Sequence, residues 1–586
     1  MSSIESIQDG VLEIVRSSLH STEGEVDMNA DLFQLGLDSL GVMSTIKSIR
    51  TATGLTDRIS PRHVYANPTI SKLAQVISAM TAPQRTKDEV SIAAVAVDDV
   101  KERFDGTGNR YKKYQSFRLN AFDYTSGQSF FSMVFYIPLK EGASFQETFD
   151  VLQKGLNRTF SLIPALAGKV IDCSKDEVGY REGDRCVSVP SPSQLASLSN
   201  RLIFNDLSST LPSFAELRAK SFPPSVVRDP LLSNVEAWHQ LPADVMAAQA
   251  NFVEGGCLLA TEFNDCCLDG IGSFMAVRAW AENCRYLQGD ETANCDWFHP
   301  ESFNHSLLDI IHEEEGRARP IEEVDPGTWS YTSFHPPDNF NATAPESIRK
   351  TWTLPPRANW PYPPIYPAPR AERSPRTTLF RITKEKLAEL KEHVLADPET
   401  SDFTPYISDI AQAFWWRACS RARYRVGTEI RKQRVGPDDL AIYETAVDGR
   451  ALFSELLPST YIGSLLVFNR STMPIETLCS LSIGHAARIL RETGKHLNTQ
   501  VVYDLFTIYK NIPDRSRFGG AAVGIEHMNT LMSSIMMFST EELKFGDRLF
   551  ADGGVPLTMR PQLERHLGRF RLNVICLWDR MATLSL

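Results

Sequence analysis

Two aspartates four residues apart have the chemistry of an acid–base pair. Asp265 and Asp269 lie between a strand-like stretch at 255–260 and a helix-like stretch that begins near Gly270. Paired carboxylates can bind a metal ion or divide the acid and base roles of a reaction between them. The same pattern fits a polar turn in which one aspartate caps the following helix. The residue types alone favour the cap.

Ser39 is the next residue whose side chain could take part in a reaction. It lies in the stretch Leu-Gly-Leu-Asp-Ser-Leu at 35–40. Taken locally, Asp38 or Ser39 is a helix cap that accepts a hydrogen bond from a free backbone N–H group. Leu40 would then open the apolar face of the helix. Local pattern alone therefore indicates a cap, and the wider sequence decides otherwise.

The segment from Asp31 to Leu40 resembles the modification site of acyl and peptidyl carrier proteins of the polyketide and nonribosomal peptide synthetases. The resemblance extends over residues 1–80 and includes a closing segment at 64–70. It implies that Ser39 carries a covalent 4′-phosphopantetheine, added by a phosphopantetheinyl transferase, whose thiol holds acyl groups. A helix N-terminus suits the added phosphate, because the helix dipole is positive there.

The segment that ends in Asp269-Gly270 resembles the His-x-x-x-Asp-Gly motif of the BAHD and trichothecene acetyltransferase-like acyltransferases, which share a fold with condensation domains. Other segments resemble parts of these families in the same order: Leu119–Tyr124, Pro164–Lys169, Ile407–Arg423, Val447–Arg450 and Tyr461–Ser464. The resemblance implies a two-lobed α/β domain of the chloramphenicol acetyltransferase type.

This sequence departs from the family motif at its histidine. In the family that histidine is the general base that takes a proton from the acceptor alcohol or amine, and Asp265 stands at its position. The motif aspartate is kept as Asp269 and is followed by Gly270. In the family this aspartate is structural and pairs with an arginine, for which Arg450 is the matching candidate. The resemblance thus supports the fold more strongly than the reaction.

Asp265 can replace a histidine base only if its environment changes its pKa. An exposed aspartate has a pKa near ~4, too low to deprotonate an alcohol near neutral pH. Burial, or the neighbouring charge of Asp269, would raise that pKa. Asp265 is therefore predicted to act as an acid–base or orienting group, or else to have no catalytic function.

Two further features have weaker signals. His305 lies in the segment Phe303–Ser306, which matches a loop near the active site of the family, whereas the other histidines, among them His239, have no recognisable catalytic context. The C-terminal Asp-Phe-Gly-Trp-Gly stretch of the family is altered here to Lys544–Arg548.

Composition narrows the classes of function. The 586 residues are 42% hydrophobic and 23% charged, which is ordinary for globular domains. Because 61 Lys and Arg face 72 Asp and Glu, and no basic run occurs, nucleic acid is a poor partner. The sequence has neither a secretory signal at its start nor a stretch long enough to span a membrane, so a cytoplasmic location without membrane contact is expected.

The ten cysteines are scattered, and no Cys-x-x-Cys pair occurs. This pattern indicates neither a disulfide framework nor a zinc site, so no metal is expected. We interpret the thiols as small buried hydrophobic groups in a reducing compartment.

The fold class follows from these patterns: a small all-α carrier, a four-helix bundle, precedes the two-lobed α/β domain. Apolar residues at helical spacing fill the N-terminal part, whereas strand-like and helix-like stretches alternate after about residue 114. Polar and proline-rich stretches mark the boundaries. The predicted parts are a carrier at 1–80, a linker at 81–113, an N-terminal lobe at 114–354, a proline-rich crossover at 355–376 and a C-terminal lobe at 377–586.

Three functions fit this organisation. The first is a carrier-fused acyltransferase of fungal-type secondary metabolism, which holds an acyl chain on Ser39 and releases it onto a hydroxyl or amine of a small acceptor. A separate polyketide or nonribosomal peptide synthetase would supply that chain. The second is a cyclase or dehydratase that acts through Asp265. The third is a non-catalytic module that presents the loaded carrier to a partner enzyme.

Overall fold

The structure, a computed structural model, describes residues within 4–81, 116–332, 378–562 and 572–575, with gaps inside these ranges, the longest at 516–529. The chain divides into two compact units. One comprises residues 1–108, 380–443 and 471–496, and the other comprises 109–379, 444–470 and 497–586. The five-part division based on sequence stays a prediction. Most of its linker (81–113) and all of its proline-rich crossover (355–376) lie outside the described residues.

The helices are numbered in chain order. They are α1 (Ile4–Ser18), α2 (Ser39–Thr53), α3 (Ile70–Thr81), α4 (Phe145–Leu162), α5 (Pro192–Ser197), α6 (Phe214–Ala219), α7 (Asp229–Leu232), α8 (Gly270–Leu287), α9 (Leu307–Glu314), α10 (Lys384–Leu395), α11 (Ile407–Arg425), α12 (Arg450–Phe453), α13 (Ile475–Ser480), α14 (Ile483–Lys495) and α15 (Thr499–Asn511).

The strands are numbered in the same way. They are β1 (Phe117–Arg118), β2 (Phe130–Pro138), β3 (Lys169–Asp172), β4 (Arg185–Ser188), β5 (Leu202–Asp206), β6 (Ala243–Asp244), β7 (Met246–Val253), β8 (Gly256–Asn264), β9 (Leu440–Asp448), β10 (Leu466–Pro474), β11 (Thr530–Ser534), β12 (Thr558–Pro561) and β13 (Leu572–Ile575).

The N-terminal helices α1, α2 and α3 enclose an apolar core of their own. Its buried members are Val11, Val15, Leu32, Leu37, Val42, Ile46, Ile49, Ile59, Val64, Ile70, Leu73, Ala74 and Ile77. Helix spacing predicted most of these residues, since positions three and four apart lie on one face. The stretch between α2 and α3, where a fourth helix of the expected bundle would begin, lies mostly outside the described residues.

A five-stranded sheet of order β12-β2-β8-β7-β5 forms the centre of the larger unit. Strands β12, β2, β8 and β7 pair antiparallel, and β5 runs parallel to β7. Every residue of β8 is buried. Helices α4 and α8 contribute to the core on one face, where the Trp280 indole N–H donates to the Leu152 carbonyl at 2.8 Å. Apolar side chains from 207–232 pack on the opposite face.

A smaller sheet of order β1-β4-β3-β6 contains a disulfide between Cys173 and Cys186. The expectation that the cysteines form no disulfide is therefore wrong for this pair, while the other seven described cysteines are not disulfide-bonded. The reason is tertiary: β3 and β4 pair antiparallel, which brings two residues thirteen apart in sequence to a Cα distance of 5.3 Å. Sequence spacing alone does not reveal that pairing.

A third sheet has the order β10-β9-β11-β13, with β11 and β13 parallel. An aromatic cluster in the larger unit joins α12 and α15: the Phe453 and Tyr503 rings are 4.8 Å apart, and Phe122 stacks on Phe506 at 5.4 Å. The two-lobed α/β expectation is confirmed in its general form. None of the helices in the described part of the chain is long and apolar enough to cross a membrane.

Candidate active site

The candidate site begins where β8 ends. Asn264 is the last residue of that strand, and its carbonyl accepts from Cys267 N–H at 2.8 Å, which closes a tight turn. Asp265 is the first residue of the turn. The strand is buried along its whole length and α8 starts five residues later, so the position of Asp265 is set by two rigid elements rather than by a long loop.

Asp265 is held by two hydrogen bonds to a single residue, Ser129, next to the start of β2. Its N–H donates to the Ser129 carbonyl at 2.9 Å, and the Ser129 hydroxyl donates to Asp265 Oδ2 at 3.1 Å. Burial raises the pKa of the Asp265 carboxyl to about 7; the Ser129 hydrogen bond opposes this rise and the charge of Asp269 adds to it. Asp265 keeps some exposure to solvent.

Asp269 is held by hydrogen bonds and an ion pair inside the protein. Its Oδ1 accepts from the N–H groups of Ile271 and Gly272 at 3.1 and 3.0 Å, which caps α8. Both of its oxygens also bind Arg450, at 2.8 Å each, in a bidentate ion pair. The two side chains are 0% and 3% exposed. The structure thus brings Asp269 and Arg450 together across 181 residues of sequence.

Arg450 connects this ion pair to the segment before β10. Its guanidinium donates to the carbonyls of Tyr461 and Gly463 at 3.0 and 2.8 Å, and to Asp448 Oδ1 at 2.9 Å. Burial lowers the pKa of Arg450, but the Asp269 and Asp448 carboxylates outweigh burial and raise it. Arg450 therefore stays charged. Since every contact of this group is internal, it fixes the backbone around the site rather than reacting.

Of the two glycines in the Gly-x-Gly pattern after Asp269, packing requires only one. A Cβ on Gly272 would lie 2.0 Å from the Ile462 carbonyl oxygen. At Gly270, the nearest atoms would be ring carbons of Phe538 and Phe131 at 3.6–3.8 Å, which is ordinary contact. Close approach of α8 to residue 462 therefore requires glycine at 272 only.

His305 contacts Asp123 in the described structure, and no contact joins it to Asp265 there. Its Nδ1 lies 2.8 Å from Asp123 Oδ2, while the Asp123 carboxylate also accepts from the N–H groups of Asn120 and Ser464 at 2.8 and 3.2 Å. Burial raises the pKa of Asp123, and the charge of His305 opposes that rise. Sequence reasoning missed Asp123 as a site residue, although it is the aspartate of the Leu119–Tyr124 signature.

His239 is a second residue near the site that its sequence context did not reveal. It approaches from the loop before β6, within hydrogen-bond reach of the Asn264 side chain, and its ring centroid is 4.7 Å from that of Phe130. Burial lowers its pKa, and the charge of Arg185 acts in the same direction. An imidazole from another segment therefore lies beside the strand end that carries Asp265.

The altered segment Lys544–Arg548 keeps part of its packing. Phe545 is fully buried, with its ring edge-on to Trp280 of α8. Gly546 has a φ of +112°, which favours glycine, and its N–H donates to the Gly553 carbonyl at 3.0 Å. Packing around this segment thus explains its phenylalanine and glycine, which are the residues shared with the family stretch.

In the smaller unit, Ser39 is the first residue of α2. The first turn of that helix contains no acidic residue, and its N-terminus is the positive end of the helix dipole. This environment suits a phosphate ester on a hydroxyl. The residues present therefore fit a phosphopantetheine at this helix N-terminus.

Two family models match separate parts of the chain. Residues 9–77 match the family model described as a phosphopantetheine attachment site. Residues 130–284, which include β2, β8 and the start of the site, match the trichothecene 3-O-acetyltransferase-like N-terminal domain. The chain joins a phosphopantetheine carrier to an acetyltransferase-like domain. Its cofactor is a covalently attached 4′-phosphopantetheine.

The carrier–acetyltransferase-like chain has a long relative in Aspergillus fumigatus, the isocyanide synthase-NRPS hybrid crmA. The two are 49% identical over 578 residues, which are 98% of this chain and 36% of the relative. The chain thus spans about a third of the length of that relative. A second relative, the eremophilane O-acetyltransferase ORF8 of Penicillium roqueforti, is 26% identical over 59% of this chain and 69% of its own length.

Solved structures agree with the fold of the larger domain. The crystal structure of F. graminearum TRI101 with coenzyme A and deoxynivalenol has a TM-score of 0.55 and 17% sequence identity. It covers 78% of this chain and 91% of the TRI101 chain. At that identity the likeness establishes the two-lobed fold alone.

Proposed function

We propose that this chain is a carrier-fused acyltransferase of fungal secondary metabolism. An acyl chain held as a thioester on the carrier is released onto a hydroxyl or amine of a small acceptor, and Asp265 is the general base. The observation that carries the proposal is the Asp265 carboxyl itself: partly exposed, hydrogen-bonded to Ser129, and with a pKa of about 7.

A pKa near 7 suits a general base at neutral pH. A base works best when its pKa is close to the working pH, because a useful fraction is then deprotonated while basicity is retained. An ordinary aspartate, with a pKa near ~4, is mostly ionised but weakly basic. Burial of Asp265 therefore supplies much of the basicity that the family obtains from histidine.

Three residues around Asp265 have separate tasks in this proposal. The Ser129 hydroxyl orients one carboxylate oxygen, which leaves the other for the acceptor proton. The Asp269–Arg450 ion pair fixes the turn that carries Asp265, since Asp269 caps α8 and Arg450 binds the carbonyls of 461 and 463. Asp265 would then hold the proton removed from the acceptor.

Ser39 is the proposed attachment residue of the cofactor. It is a hydroxyl residue within the matched region 9–77, and it begins a helix that has no acidic residue in its first turn. When bound, phosphopantetheine supplies a thiol that holds the acyl group as a thioester. A phosphopantetheinyl transferase would add it.

Intact-protein mass spectrometry of the full chain tests the proposal. After incubation with a phosphopantetheinyl transferase and acetyl-coenzyme A, wild-type protein should gain an acetyl-phosphopantetheine mass that Ser39→Ala does not gain. The acetyl mass should then be lost when a small alcohol or amine is added, and should persist in Asp265→Asn. Equal loss of acetyl from wild type and Asp265→Asn would contradict the proposal.

The same experiment separates the alternatives. A cyclase or dehydratase would leave the mass of a loaded acyl chain unchanged or lower it by one water, and in either case would need no acceptor. A presentation module would show no acyl loss with any acceptor. The name of the A. fumigatus relative, an isocyanide synthase-NRPS hybrid, favours a nonribosomal peptide synthetase as the origin of the acyl chain. Acyl donors tested after acetyl should therefore include aminoacyl groups.

A further inference from the structure

A row of buried polar side chains crosses the central sheet near the Asp265 end of β8. Ser132 of β2 pairs with Glu262 of β8. Gln562 follows the last residue of β12, and its N–H donates to the Ser132 carbonyl at 2.9 Å. Residues directly opposite in antiparallel strands point to the same face, so these three side chains share a face. They are 3%, 1% and 1% exposed.

Two members of this row are unsatisfied. Within the part of the chain that the structure describes, neither the Ser132 hydroxyl nor either amide atom of Gln562 has a hydrogen-bond partner. A buried polar group without a partner costs about 1–3 kcal/mol, so such groups are rare in native proteins. Their presence together, on adjacent strands, points to a bound molecule that supplies the partners.

Polar groups elsewhere on the same face are satisfied by the protein. Gln249 and Asn251 of β7 are also buried, and the Gln249 amide donates to Asn251 Oδ1 at 2.8 Å. The Asn251 amide donates to the carbonyls of Leu232 and Leu258 at 2.9 and 3.0 Å. The fold thus provides partners for Gln249 and Asn251, and it does not do so for the Ser132 hydroxyl and the Gln562 amide.

The row is close enough to Asp265 for one small molecule to contact both. The next pair on this face is Phe130 with Asn264, two residues along the strands from Ser132 and Glu262. Two residues of a β-strand span roughly 7 Å. Asp265 follows Asn264 directly. A molecule with about six carbons between its two polar ends could therefore reach both places.

We propose that Ser132 and Gln562 form a subsite that binds an uncharged polar group, a hydroxyl or carboxamide, at the far end of the acyl acceptor. This subsite rests on the acyl transfer proposed at Asp265. A hydroxyl or carboxamide both donates and accepts, as the serine hydroxyl and the glutamine amide require. An ammonium group would leave the amide N–H of Gln562 unpaired, and a carboxylate would face the carboxyl of Glu262.

Calorimetric titration of Asp265→Asn full-length protein measures binding without turnover. The probes are 1,6-hexanediol and 6-hydroxyhexanamide, compared with 1-hexanol, 6-amino-1-hexanol and 6-hydroxyhexanoate. The first two should bind at least about tenfold more tightly than the others, the size expected for a site built around a polar group. Ser132→Ala or Gln562→Met, each added to Asp265→Asn, should abolish that preference.

Two controls keep the test interpretable. Ser132→Ala removes a hydroxyl without a protein partner, so its urea unfolding midpoint should be no lower than that of the parent. Gln249→Met removes satisfied hydrogen bonds from the same face. It should lower stability and leave the ligand preference unchanged.

Equal affinity for all five probes, or a preference that survives both Ser132→Ala and Gln562→Met, would overturn the subsite. Failure of the proposed function looks different. If no acceptor removes acetyl from the loaded wild-type carrier, but the preference and its loss in both variants are found, acyl transfer is wrong and the polar subsite stands.

Discussion

At the scale of single residues, the proposed reaction depends on Asp265 as its base. Replacement by Asn keeps the shape of the side chain and removes its basicity. We expect acyl release to fall by about 10²–10⁴-fold, the usual contribution of a general base. In wild type the rate should rise with pH through an apparent pKa of about 7. Single-turnover loss of acetyl mass, followed from pH 5 to 9, measures both effects.

Asp176→Asn is the matched control for this prediction, because Asp176 is exposed and far along the chain from the candidate site. It should retain the wild-type rate and pH profile. A wild-type profile that is flat between pH 5 and 9 would show that Asp265 does not titrate in the reaction.

The raised pKa of Asp265 also predicts a pH-dependent cost in stability. Below pH 4 the carboxyl is protonated in both folded and unfolded chains. Between pH 4 and 7 only the unfolded chain releases the proton, so the free energy of unfolding falls as pH rises. Asp265→Asn should thus be more stable than wild type at pH 8, by up to about 4 kcal/mol, with little difference at pH 4. Urea unfolding of both proteins at pH 4 and pH 8 measures this difference. A stability difference that is the same at the two pH values would contradict the prediction.

The buried Asp269–Arg450 pair predicts a larger structural effect. Arg450→Met would leave the Asp269 carboxylate fully buried without its cation, which typically costs about 3–5 kcal/mol. Urea unfolding should show this loss. The control is Arg548→Met, which breaks the half-exposed pair with Glu147 and should change stability little. Similar losses of stability in the two variants would show that the buried pair contributes no more to stability than the exposed pair.

At the scale of elements, the approach of α8 to residue 462 is the tightest packing at the site. Gly272→Ala would place its Cβ 2.0 Å from the Ile462 carbonyl oxygen, so either α8 or the backbone at residue 462 must move. We expect a loss of about 1–3 kcal/mol in stability, and lower activity, because Tyr461 and Gly463 provide carbonyls to Arg450.

Gly270→Ala is the matched control, since its Cβ would meet ring carbons at 3.6–3.8 Å. It should keep both stability and activity. Thermal unfolding and acetyl release of the two variants test the contrast, and equal behaviour of the two glycines would refute the packing argument.

Sequence pattern predicted the elements around the site better than the contacts between them. The strand expected at 255–260 is β8, which begins at Gly256 and extends to Asn264, and the helix expected to begin near Gly270 is α8. Apolar periodicity is local, so it is readable from sequence. The pairing of His305 with Asp123 spans 182 residues and depends on how loops meet. The pKa of Asp265 likewise depends on burial by elements distant in sequence.

At the scale of the whole molecule, the question is why a carrier is joined to an acetyltransferase-like domain. A tether converts an encounter between two proteins into one within a chain, at an effective concentration on the order of millimolar for a flexible linker. Such a link helps only if the carrier serves the domain of its own chain. Two full-length variants can distinguish acyl transfer within one chain from acyl transfer between chains.

Ser39→Ala lacks the attachment residue and keeps Asp265, whereas Asp265→Asn keeps the carrier and lacks the base. A mixture of the two can release acyl groups only between chains. At about 10 µM each, that release should be roughly 1% of the wild-type rate and should rise in proportion to concentration, because a millimolar effective concentration is lost. Intact-protein mass spectrometry of the loaded Asp265→Asn chain measures it. A mixture that reaches about half the wild-type rate, independent of concentration, would instead mean that two chains exchange carriers within a stable dimer.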